Sequence, residues 1–134
     1  MSKISRDDIK QRGLKRFFNS FKYSMAGLKY AYRYEQSMLI HVIFTVIVIV
    51  LNIVFQVKSF HWLIMMLCLA ITLAAELLNT AIEATVDLIT LEKNPLAKIA
   101  KDCSSAATFV LSLMAIAIGL IVYGEYALGL IGIL

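Results

Sequence analysis

The chain has 134 residues, 60% of them hydrophobic and 16% charged, with a formal net charge of +4. A soluble domain is nearer half apolar and a quarter charged, so composition excludes an ordinary water-soluble enzyme and bounds the chain to one small domain. Nine of the thirteen Lys and Arg crowd between Lys3 and Arg33, so the positive charge suggests anionic headgroups and phosphates as partners and not nucleic acid.

Residues 1–12 are polar and expected to fray. From 14 to 34, Leu14, Phe17, Phe18, Phe21, Met25, Leu28 and Tyr32 recur at helical spacing among basic residues. A basic amphipathic helix with aromatics belongs in the plane of the membrane interface. The first apolar run, about 38–55, has only His41, Thr45 and Asn52 as polar members and is just long enough to span a bilayer. It begins too far in for a secretory signal peptide. The "QVKSFH" stretch predicts a tight external turn and Trp62 an interface anchor. A second helix, about 62–91, outruns its apolar part and ends before Asn94-Pro95, a turn signal. A third helix covers about 96–123. The Gly119 and Gly124 spacing makes no GxxxG motif.

Lys93, Lys98 and Lys101 lie near the second link, and only Lys58 lies in the first. By the positive-inside rule the N-terminus and the 90–101 region are cytoplasmic and the C-terminus is outside. The expected fold is an all-α integral membrane protein, one domain over 1–134, with an interfacial helix and three membrane helices. Cys68 and Cys103 form no metal or redox motif and read as unpaired thiols.

The "AELLNTAIEATVD" stretch, 75–87, carries the chemistry. At about 100° per residue, Glu76, Asn79, Glu83 and Asp87 fall within about 80° of one another on one helix face. A carboxylate inside the bilayer costs about 3 kcal/mol even on a lenient scale, so this stripe must face other helices or a wet cleft. One reading is a solvated helix end, which suits Asp87 and suits Glu76 poorly. The other is a cation site: oxygen ligands on one face suit Mg²⁺, which takes one or two carboxylates and completes its shell with water and phosphate. Glu35 lies near the same interface and is a further ligand or an ordinary exposed Glu. Lys101 and Asp102 open the third helix on that side, where a Lys can hold phosphate or simply snorkel.

Other chemistries are absent. There is no GxxxxGK[ST] loop, no protein-kinase triplet and no Ser nucleophile elbow. His41 and His61 flank the first span, which excludes a two-His metal site in one protomer. A channel subunit lined by carboxylates leaves unexplained why they crowd one end. A structural lipid-binding protein explains the basic helix and not the stripe.

"ELLNTAIEATVD" fits the signature of the small prokaryotic diacylglycerol kinases, E-x-[LIVM]-N-[ST]-[SA]-[LIV]-E-x-x-V-D, at every specified position. "AKDCSSAA" and "YSMAGLKYAYRYE" resemble two further blocks of that family, so the likeness covers roughly 16–123. "NPLAKIAKD" resembles most the Gram-positive branch, the undecaprenol kinases. The resemblance implies an ATP-dependent lipid kinase of the bacterial cell membrane, a homotrimer whose sites lie between protomers at the cytoplasmic surface. By position it implies Glu35 and Glu83 as Mg²⁺ ligands, and Glu76 as the base that takes the lipid hydroxyl proton. It implies that Asn79 positions that hydroxyl or a phosphate and that Lys101 contacts nucleotide phosphates. Asp87 and Asp102 would orient groups around the nucleotide, and Arg16, Tyr23 and Ser24 would reach it from the interfacial helix. Two positions depart from the Gram-negative members. His41 stands where they have an acidic residue, and Ser104 where they have a Gly. Both point to undecaprenol as acceptor, with diacylglycerol the alternative; His41 either faces the acceptor's headgroup or is a helix-facing polar residue with no substrate role.

Overall fold

The computed structural model describes residues 13–130, so the expectation for 1–12 lies outside the described residues. Four helices follow one another: α1 Leu14–Tyr34, α2 Gln36–Val54, α3 Ser59–Ile89 and α4 Pro95–Leu130. The last three are long and apolar enough to cross a membrane, and α1 is the expected additional helix.

Backbone capping sets the helix limits, and they depart from the apolar runs accordingly. Glu35 alone separates α1 from α2, with an extended backbone at φ −102° and ψ 112°. Its N–H still bonds the Ala31 carbonyl at 2.9 Å. Helix α2 therefore starts at Gln36, ahead of the apolar run, and takes Ser37 into its first turn. The next turn is shorter than "QVKSFH" suggests: Ser59, Phe60 and His61 already belong to α3. Gln56 takes a left-handed conformation, φ 49°, and the Val57 N–H bonds the Asn52 carbonyl at 3.0 Å. That tucks Val57 against Met65 and Val122, with Trp62 packed beside them.

Helix α3 stops at Thr90, which is extended and whose hydroxyl accepts the Glu92 N–H at 3.1 Å. Asn94 then caps α4: its Oδ1 accepts the N–H groups of Leu96 at 2.8 Å and Ala97 at 3.3 Å. Pro95 occupies the first helical position, where its missing N–H costs nothing. Helices of 31 and 36 residues at about 1.5 Å per residue exceed a hydrocarbon core about 30 Å thick. Parts of α3 and α4 must therefore project past it, and α4 runs on beyond the expected end at 123.

Helices α3 and α4 make the most extensive contact, α2 packs on α3, and α1 touches both α2 and α3. Among the described residues no Cα of α2 lies within 8 Å of one in α4. Side chains close part of the gap: the Tyr123 hydroxyl donates to Asn52 Oδ1 at 2.8 Å. What remains is an apolar groove of about 380 Å³ between α2, α3 and α4, with His41 and Thr72 toward one end and Leu51, Met65 and Tyr123 toward the other. Little of each span is buried, 11–17%, so most of the apolar surface faces outward.

Candidate active site

The stripe on α3 is resolved into three linked groups. Glu76 is the most enclosed, at 4% exposure. The Ser37 hydroxyl donates to its Oε1, and His41 Nε2 lies 3.9 Å from its Oε2. Ser37 and His41 are four residues apart and so share one face of α2. His41 also lines the apolar groove. The deepest carboxylate of the stripe thus adjoins the space between the membrane helices.

One turn on, the Asn79 Nδ2 donates to Glu83 Oε1 at 3.0 Å. The Ser104 hydroxyl of α4 donates to Asn79 Oδ1 at 2.6 Å. At the end of the stripe, Lys101 Nζ meets Asp87 Oδ1 at 2.5 Å, tying the start of α4 to the end of α3. Asp102 pairs instead with Lys98 along its own helix, both well exposed. Exposed pairs of this kind contribute about 0–1 kcal/mol, so Lys101 and Asp102 can exchange partners at little cost.

The residues expected from α1 lie on its exposed surface. Arg16, Tyr23 and Ser24 are all exposed. Ser24 bonds the Ser20 carbonyl of its own helix at 3.0 Å. Glu35 is half-buried at the α1–α2 junction. Among the described residues no three His, Cys, Asp or Glu side chains converge. The donor set still fits Mg²⁺, whose usual site holds one or two carboxylates and takes its other oxygens from phosphate and water. Among the described residues one Glu83 oxygen is engaged, by Asn79. Cys68 and Cys103 are free thiols, as expected.

Sequence reasoning missed Ser37 as a partner of Glu76 and gave Ser104 no contact. Ser37 carries a weak signal, lying four residues before His41 on the same helix face.

Three apolar helices with most of their carboxylates at one end define a multi-pass membrane protein with an acidic site where its helices leave the apolar zone. The chain belongs to the prokaryotic diacylglycerol kinase family, whose pattern matches residues 22–123, and is therefore a lipid kinase. It is 43% identical to a diacylglycerol kinase of Pseudomonas aeruginosa over 75% of this chain and 81% of that one. It is 36% identical to an undecaprenol kinase of Bacillus subtilis over 82% of this chain and 89% of that one. A diacylglycerol kinase of Helicobacter pylori is 35% identical over 90% and 91%. The relatives thus agree on phosphorylation of a lipid alcohol and divide on which one.

Proposed function

We propose that the chain transfers the γ-phosphoryl group of ATP to undecaprenol, giving undecaprenyl phosphate at the cytoplasmic surface of a bacterial plasma membrane. The observation that carries this reading is the position of Glu76. It adjoins His41, which lines a groove otherwise walled almost wholly by apolar side chains. A long apolar chain lying in that groove would bring its terminal hydroxyl to the carboxylate. A polyprenol has that shape, and the hydroxyls that line the groove, Thr45, Thr72, Ser112 and Tyr123, already donate within the protein and so are poorly placed to hold two glycerol esters.

Glu76 takes the hydroxyl proton as the acceptor oxygen bonds the γ-phosphorus. The bond from that phosphorus to the bridging oxygen breaks, and ADP leaves. Such transfers require positioning and charge neutralisation and no covalent intermediate. Mg²⁺, when bound, would neutralise the phosphates, with Glu83 and Glu35 to hold it. Asn79 orients the acceptor side of the site. Lys101 leaves Asp87 for the nucleotide phosphates, Asp87 and Asp102 order the basic groups, and Arg16, Tyr23 and Ser24 approach the nucleotide from α1. A homotrimer, as the family signature implies, would complete each site from two protomers. The Lys and Arg distribution favours a cytoplasmic N-terminus and an extracytoplasmic C-terminus. The product would feed the lipid-carrier pool for the cell wall.

The second reading, diacylglycerol as acceptor, is favoured by the 43% identity to the Pseudomonas aeruginosa enzyme. Phosphorylation of both lipids side by side in mixed micelles separates the two. Undecaprenol should show the higher kcat/KM, with diacylglycerol a slow substrate, since apolar contacts discriminate by only about 1–3 kcal/mol. A higher kcat/KM for diacylglycerol would move the chain to the second reading.

A further inference from the structure

Asn79 has two chemically different ends. Its Nδ2 can only donate and its Oδ1 can only accept. A carboxylate at Glu83 can only accept, so it requires the Nδ2 end, and the 3.0 Å contact supplies it. The reverse rotamer would set Oδ1 against the carboxylate. The carboxylate itself disfavours that reversal, and a donor on the far side of the amide, bonded to Oδ1, would hold the same orientation more firmly.

That donor is Ser104, a buried residue at 8% exposure, in the third turn of α4. Its hydroxyl lies 2.6 Å from Asn79 Oδ1 and 2.9 Å from the Lys101 carbonyl. Both are acceptors and the hydroxyl has one proton. If the proton pointed to Lys101, two oxygen lone pairs would face each other at 2.6 Å. The shorter contact therefore holds the proton.

We infer that Ser104 is a positioning residue: by donating to Asn79 Oδ1 it steadies the amide whose Nδ2 holds one oxygen of Glu83, so that the other oxygen can serve a divalent cation. The inference rests on the reading of Glu83 as a cation ligand. It makes α4, which contributes no carboxylate to this part of the site, an element that steadies one.

The test uses Mn²⁺ as probe, followed by its EPR signal in the detergent-solubilised full chain with a non-hydrolysable ATP analogue. Ser104→Ala keeps the volume of the site and removes only the hydroxyl. It should weaken Mn²⁺ binding about 3- to 10-fold, less than the 10- to 100-fold typical of losing a group bonded directly to a ligand. Ser104→Thr, which restores a hydroxyl, should recover most of the loss. In an Asn79→Ala background, Ser104→Ala should weaken binding no further, because its effect passes through that amide. An equal loss in both backgrounds would show a general packing role and overturn the inference, as would wild-type binding by Ser104→Ala. Glu83→Gln separates the two levels. If it abolishes Mn²⁺ binding while Ser104→Ala changes nothing, only the positioning role fails. If Glu83→Gln binds Mn²⁺ like wild type, the ligand reading fails and the inference with it.

Discussion

The Ser37 hydroxyl, in the first turn of α2, donates to Oε1 of Glu76 in the middle of α3, across 39 residues of sequence. This contact pins the most enclosed carboxylate of the stripe against α2, beside His41 and the mouth of the apolar groove. A base acts well only when held at its proton, and Ser37 supplies part of that hold.

Glu76→Gln keeps the shape and removes the proton acceptor. Its kcat with undecaprenol should fall at least about 100-fold, the lower end of general-base contributions. The KM for ATP should change less than about 3-fold, because the base acts on the acceptor and not on the nucleotide. Steady-state kinetics in mixed micelles measures both. A lost ATP affinity with an intact maximal rate would make Glu76 a binding residue.

Ser37→Ala removes the donor and leaves the carboxylate. A hydrogen bond to a charged group contributes about 1.5–3 kcal/mol at most, and neutral ones about 1 kcal/mol. Because the base is a charged carboxylate, the expected cost is a fall in kcat of about 10- to 100-fold, with the KM for ATP unchanged. Combined with Glu76→Gln it should add almost nothing, since the group it positions is already gone. Additive losses in the double variant would assign Ser37 another role.

The Lys101–Asp87 pair is partly exposed, with side-chain exposures of 36% and 47%, so it should matter for nucleotide and little for stability. Asp87→Asn should shift unfolding by no more than about 1 kcal/mol in a thermal melt in detergent. Lys101→Ala should raise the KM for ATP about 10-fold or more by removing a phosphate partner. A Lys101→Ala enzyme with unchanged KM and a large loss of stability would make the pair a structural clasp.

The groove can be narrowed without touching the stripe. Ala115 lines it, and Ala115→Leu adds bulk there. The kcat/KM for undecaprenol should drop about 10-fold, within the range set by apolar fit, while ATP hydrolysis in the absence of lipid stays level. Equal loss in both assays would place the lipid elsewhere.

The residues themselves determined the helical class, the three spans and the acidic face, because each follows from periodicity along one chain. Apolar runs reveal a span, and the four-residue recurrence of Asn79, Glu83 and Asp87 reveals a stripe. The signature around Glu76 revealed the family. Helix limits were less legible: Gln36, Ser37 and Ser59 to His61 joined helices because backbone capping, and not polarity, ends a helix. The contacts that Ser37 and Ser104 make across helices were barely legible. Ser37 and Ser104 are small hydroxyls of the kind that usually bond back into their own helix. Only the packing of α2 and α4 against α3 turned them toward Glu76 and Asn79. The groove likewise exists because α2 and α4 both pack on α3 without closing on each other. Such a gap is a property of three axes in space, and no pattern within a single helix encodes it.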